Sequence, residues 1–153
     1  MLDTILSELI TLTVEVGKII MSHRKNSGNF SMKSDNTPVT QADKESNELI
    51  INTLKKLTPN TPILSEESSN IPFSSRKSWD EYWLIDPLDG TRDFIDGSPD
   101  FCISIALIRN HYPDFGLIYS PFHKVHYYRL PSKSSIKLVG NKPHKISTKK
   151  PNR

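Results

Sequence analysis

The chain has a single cysteine, Cys102, in 153 residues. No internal disulfide can form, and no set of thiolates can close around zinc. No apolar run approaches the ~20 residues needed to span a bilayer. The opening MLDTILSEL carries acids early and no basic segment ahead of an apolar one, so it lacks the pattern of a secretory signal. Negative charge is missing from the last stretch. KSSIKLVGNKPHKISTKKPNR is rich in lysine and has no acid. That run reads either as a nucleic-acid arm or as solvated edge-strand lysines followed by a frayed tail. Base-stacking aromatics are absent from it, which argues against a single-strand binder, and no nucleic-acid partner is expected. What is present is ordinary for a globular chain: 24% charged and 35% hydrophobic residues, with a net charge of +3. One domain with a real core fits this length. Cys102, inside FCISIALI, reads as a small buried hydrophobe. Together these features point to the cytoplasm.

Leu2, Ile5, Leu6, Leu9, Ile10, Val16, Ile19 and Ile20 recur at helical spacing, predicting one amphipathic helix from residue 2 to about 24. The polar segment NSGNFSMKSDNTP breaks it. A second helix fits from about Gln41 to Leu57, with Ala42, Leu49, Ile50, Leu54 and Leu57 inward, Thr40 as N-cap and Asp43 at the third helical position of a capping box. From Pro62 onward TPILSEE, YWLIDPL, FCISIALI, FGLIYSP and KVHYYRL are short apolar runs between turn-forming clusters. Helices first and strands afterwards predict a layered α+β fold, two N-terminal helices on a mainly antiparallel sheet.

Three acids stand at the ends of two of these strands: Glu66 after PILS, and Asp86 and Asp89 after YWLI. Neighbouring strands would bring the ends together, and packed carboxylates need cations to neutralise them. Oxygen ligands select hard ions, Mg²⁺ above all. Pro87 stiffens the bend between the aspartates and frees the Leu88 carbonyl to turn toward an ion. Behind them, Gly90 permits close backbone approach, and Thr91 begins TRDFI, a short helix whose first N–H groups suit a phosphate. The same five residues, D-P-L-D-G, also make a plain surface turn, and both readings stand on the residues alone.

SDNTPVTQAD (34–43), LSEE (64–67) and WLIDPLDGT (83–91) carry a resemblance to the lithium-sensitive, Mg²⁺-dependent phosphomonoesterases that include inositol monophosphatase. The likeness is nearest to the bacterial 3'(2'),5'-bisphosphate nucleotidase branch, the CysQ type. It implies the N-terminal domain of a sugar-phosphatase-like fold and a cytoplasmic hydrolase of sulfur metabolism. The reaction implied is removal of the 3'-phosphate of adenosine 3',5'-bisphosphate, with inositol monophosphate as the alternative substrate. It implies two or more Mg²⁺ ions, with Glu66, Asp86 and the Leu88 carbonyl on the first, and Asp86 and Asp89 on the second. Glu66 and Leu88 to Thr91, including Asp89 and Gly90, would line the phosphate. Asp43 and Thr91 would activate the attacking water, a role that for Asp43 competes with capping.

Family members carry a second α/β domain with a W-D-x-A-A-type motif whose aspartate completes the second metal site. After DPLDGT this chain offers only Asp93, Asp96, Asp100 and Asp114, none in that context. The expectation is therefore a truncated chain: residues 1–130 as the metal- and phosphate-binding domain, 131–153 as edge strands and a basic tail, and the C-terminal α/β domain missing. Impaired turnover, or a non-catalytic remnant, would follow. A domain face left exposed favours self-association. Peripheral attachment to the cytoplasmic side of the inner membrane is the remaining partner expectation, without a transmembrane segment.

Overall fold

In a computed structural model, residues 2–24, 30–32, 38–68 and 71–148 are described. The elements run α1 (Leu2–His23), β1 (Phe30–Met32), β2 (Pro38–Thr40), α2 (Gln41–Leu57), β3 (Ile63–Ser65), a 3₁₀ turn (Glu66–Ser68), α3 (Phe73–Arg76), β4 (Glu81–Asp89), α4 (Thr91–Ile95), β5 (Cys102–Arg109), β6 (Tyr112–Ser120), β7 (Val125–Arg129), β8 (Ser135–Val139) and β9 (Lys142–Ile146). Both long helices lie where the 3.6-residue periodicity put them. All five apolar runs are strands.

β3 to β9 form one seven-stranded sheet in sequence order. β3 runs parallel to β4, and every other neighbouring pair is antiparallel. From β5 to β9 short hairpin turns explain the sequence order, because antiparallel neighbours need only such turns. Between β5 and β6, Asn110 and His111 both sit at positive φ, 49° and 66°, in a primed two-residue turn that matches sheet twist. The separate ribbon of β1 and β2 has three residue pairs. It falls partly inside the segment read as a helix breaker. Residues 34–37 of SDNTPVTQAD and the tail residues 149–153 lie outside the described residues.

The core lies between the helices and one face of the sheet. Leu9, Val16 and Ile20 of α1 and Ile50 and Leu54 of α2 are fully buried, with Trp83, Ile103, Leu107 and Leu117 on the facing strands. Trp83 meets Phe115 edge to face at 6.1 Å and donates its indole N–H to Thr58 Oγ1 at 2.9 Å. Contact between α1 and β6 is close enough to require Gly17. A Cβ there would stand 2.7 Å from Tyr119 Cε1. Tyr119 stacks on His126 at 4.1 Å, and His126 Nε2 lies 3.0 Å from Thr13 Oγ1 on α1.

Candidate active site

β3 and β4 deliver the first two acids. The parallel register sets Ser65 beside Ile85, so Glu66 leaves β3 alongside Asp86. The Asp86 carboxyl is pushed up to about 7, first by burial, then by the charge of Glu66 and a hydrogen bond with it, then by the charge of Asp89; the Leu88 N–H opposes the rise. A hydrogen bond between two carboxyl groups needs a proton between them, because two carboxylates have only acceptors.

The second aspartate reaches the same place through a backbone device. Alternation in a strand puts residues three apart on opposite faces. Asp86 pairs with Ser104 and Asp89 with Cys102, three steps on β4 against two on β5. One extra residue is thus held in a β-bulge at Pro87–Leu88. It returns Asp89 to the face of Asp86 and sends the Leu88 side chain, 1% exposed, into the core. The Leu88 N–H donates to Asp86 Oδ1 at 3.1 Å, fixing the bend.

Beyond the bulge, Gly90 takes φ +89°, and a Cβ there would meet the Asp100 carbonyl at 2.7 Å. Only glycine fits this turn. It hands the chain to α4, where the Phe94 N–H bonds the Gly90 carbonyl at 2.9 Å. Thr91 Oγ1 lies 3.0 Å from Asp43 Oδ1 and 3.1 Å from the Leu88 carbonyl. Both neighbours accept, so the hydroxyl proton points to them and a lone pair of the oxygen is turned away.

Asp43 is fully buried. Its Oδ2 accepts the Thr40 N–H at 2.7 Å and the Thr40 hydroxyl, while the Asp43 N–H reaches back to Thr40 Oγ1 at 3.4 Å. Capping and the contact with Thr91 therefore do not compete. One carboxylate oxygen caps α2, and the other holds Thr91.

The acids open on a groove of about 600 Å³ across the sheet face away from the helices, lined by Glu66, Arg76, Leu84, Asp86, Asp89 and Ile118 among others. A smaller cavity of about 300 Å³ lies past Asp89 toward Asp93, Asp100 and His123. All the expected site residues thus fall around one turn: Glu66, Asp86, Leu88, Asp89, Gly90 and Thr91, with Asp43 behind. Among the described residues, no group of three or more His, Cys, Asp or Glu side chains is arranged to hold a metal ion. The donor set still suits a hard cation: it is all oxygen, carboxylates at the ends of β3 and β4 with the Leu88 carbonyl beside them.

One expectation is corrected. Cys102 is half-buried, not a core residue, because it shares the open face with Asp89 while Ile103 takes the core side. Its Sγ lies 3.8 Å from Asp89 Oδ2, and burial pushes the thiol pKa up. Among the groove residues not singled out from the sequence are Ser104 and Arg76. Ser104 could have been found from the β4–β5 register, but nothing local marks Arg76, which arrives on the short α3.

A model of the inositol monophosphatase family matches residues 1–150. The chain is 39% identical over 126 residues to the 3'(2'),5'-bisphosphate nucleotidase CysQ of Aggregatibacter actinomycetemcomitans, covering 82% of this chain and 47% of that protein. The solved CysQ of Bacteroides thetaiotaomicron, a bacterial member of the same family, superposes with a TM-score of 0.70 at 32% identity over 84% of this chain and 46% of that one. The IMPase of Thermotoga maritima superposes with a TM-score of 0.76 at 28% identity over 86% and 50%. The chain spans about half the length of the curated relatives it matches.

Proposed function

The chain belongs to the inositol monophosphatase family, and from that premise we propose that it carries the metal- and phosphate-binding part of a Mg²⁺-dependent phosphomonoesterase acting on the 3'-phosphate of adenosine 3',5'-bisphosphate. The observation that carries the reading is the contact of Glu66 with Asp86, with Asp89 turned to the same face. Glu66, Asp86, Asp89 and the Leu88 carbonyl would hold Mg²⁺, two or more ions in all. Bound there, Mg²⁺ would neutralise phosphate charge and make water a better nucleophile.

The chain's own residues do the rest. The turn at Gly90 and the first N–H groups of α4 receive the phosphate oxygens. Asp43 Oδ1 holds the Thr91 proton, which leaves the Thr91 oxygen to accept a proton from the attacking water as its own passes toward Asp43. Thr40 keeps the Asp43 carboxylate from rotating. Residues 1–130 form this binding unit in our reading, and 131–153 extend its sheet and tail. The substrate follows the CysQ relatives, inositol monophosphate being the alternative that the IMPase likeness favours. A narrower reading is ion binding without turnover by this chain alone, which spans about half the length of the CysQ relatives.

Calorimetric titration with Mg²⁺ and phosphate release from both substrates test these readings. Asp86→Asn should abolish Mg²⁺ binding. Thr91→Ala should keep it and lower release by about 10²-fold or more. Mg²⁺ binding without release in the parent selects the narrower reading, and unchanged release from Asp86→Asn rejects the site.

A further inference from the structure

α2 carries two buried polar side chains one turn apart. Asp43 and Asn47 stand four residues apart on one helical face, about 6 Å along the axis. Asp43 holds Thr91. Asn47 reaches the other end of the site, where its Oδ1 accepts the Ser65 hydroxyl at 2.6 Å. Ser65 Oγ in turn accepts the Glu67 N–H at 3.2 Å. The hydroxyl is thus committed twice, its proton to α2 and a lone pair to the turn that follows β3.

Ser65 is 1% exposed and shares its register row with Ile85, 2% exposed, so both side chains face the helices. Glu66 is the next residue, set between Ser65 and the N–H that Ser65 binds. β3 offers little support of its own. It has three residues, lies at the edge of the sheet, and makes its last registered pair with β4 at Ser65–Ile85. The ladder ends one residue before the acid, and the link Asn47–Ser65–Glu67 carries support past it. This link lies inside the helix–sheet layer and does not depend on what covers the open face.

We infer that Asn47 is a positioning residue for the metal site: through Ser65 it fixes the turn that carries Glu66, and α2 thereby spaces the Glu66 carboxylate from the Thr91 hydroxyl. The inference rests on the proposed assignment of Glu66 and Asp86 to Mg²⁺. Asn47 and Ser65 do not hold the ion; they limit where Glu66 can point. Residues that orient a metal ligand carry about 10- to 100-fold in metal affinity.

Calorimetric titration of the 153-residue chain with Mg²⁺ tests it, the fold of each variant being checked by circular dichroism and its unfolding midpoint. Asn47→Ala and Ser65→Ala should each raise the Mg²⁺ Kd about tenfold. The double variant should bind no more weakly than either, because the two act as one link. Ser65→Thr keeps the hydroxyl and should bind close to the parent value. In a Glu66→Gln background, adding Asn47→Ala should leave the Kd unchanged. Thr58→Val removes a buried bond away from the site, and should lower the unfolding midpoint without moving the Kd. Asn47→Ala behaving like Thr58→Val, while Asp86→Asn still abolishes binding, overturns the positioning role and leaves the metal site standing. A loss of affinity that persists in full in the Glu66→Gln background also overturns it. Should Asn47→Ala fail to fold, Ser65→Ala and Ser65→Thr decide between them, and equal Kd values overturn the link. A parent that binds no Mg²⁺, or binds it equally after Asp86→Asn, overturns the site and this inference together.

Discussion

The two faces of the seven-stranded sheet come from the same strands and have opposite natures. On one, Trp83, Ile103, Leu107 and Leu117 are fully buried under α1 and α2. On the other, neighbours one residue away are half-open: Leu84, Asp86, Cys102, Ser104 and Ile118. Alternation separates a face that holds the fold together from one that opens on the groove, and the bulge in β4 keeps both aspartates on the second. Carboxylates on the first would be desolvated with no ion within reach. On the second they sit at the rim of a groove that a cation or substrate can enter.

The sharpest break of this contrast is Trp83→Ala. It removes a fully buried ring, its contact with Phe115 and the bond to Thr58, and should cost about 3–5 kcal/mol in urea unfolding. Overfilling the same face is next. Gly17→Val drives a branched side chain at Tyr119 and should cost about 1–3 kcal/mol by the same measurement.

The faces should also respond to pH in opposite senses. Burial pushes His126 on the helix side down from 6.5 to about 4. Its folded value lies below its unfolded one, so protons favour the unfolded chain. Stability is full above about 6.5 and is lost as pH falls toward 4, by up to about 2 kcal/mol after solvent screening is allowed for. Asp86 on the open side is pushed up to about 7 from 3.8. Its contribution is present at low pH and is lost as pH rises through 7. The two trends offset one another between about pH 4 and 6.5. His126→Gln should therefore leave stability falling as pH rises, and Asp86→Asn should leave it falling as pH drops. Parallel curves for the two variants would remove the contrast. The smallest effect belongs to Leu84→Ser on the open face, expected to change monomer stability by less than about 0.5 kcal/mol.

Much of the helix-covered face was legible because burial imposes strict periods on sequence. Alternating or 3.6-spaced apolar residues announce α1, α2 and the strands β3 to β7. The short β1 and β2 give no such signal, since three-residue strands are too brief for a period to show. On the open face, residue type was readable and geometry was not. Glu66, Asp86 and Asp89 stand out as acids at strand ends, yet strict alternation would have split the aspartates between faces. Cys102 was misread for the same reason, because an apolar run does not say which of its members look outward. Asp43 was recognised as a cap and as a candidate for chemistry. That its two oxygens divide these tasks became evident only with Thr91 in place.

The bulge at Pro87–Leu88 has a consequence for reading genes. An odd interval between two acids in an otherwise alternating strand is a written trace of a backbone irregularity, visible without coordinates. Losing one codon there would remove the extra residue and leave the aspartates two positions apart, on one face by plain alternation, without the bulge whose Leu88 N–H braces Asp86. A homologue with that deletion would keep both acids on the open face and lose only the irregularity that braces them.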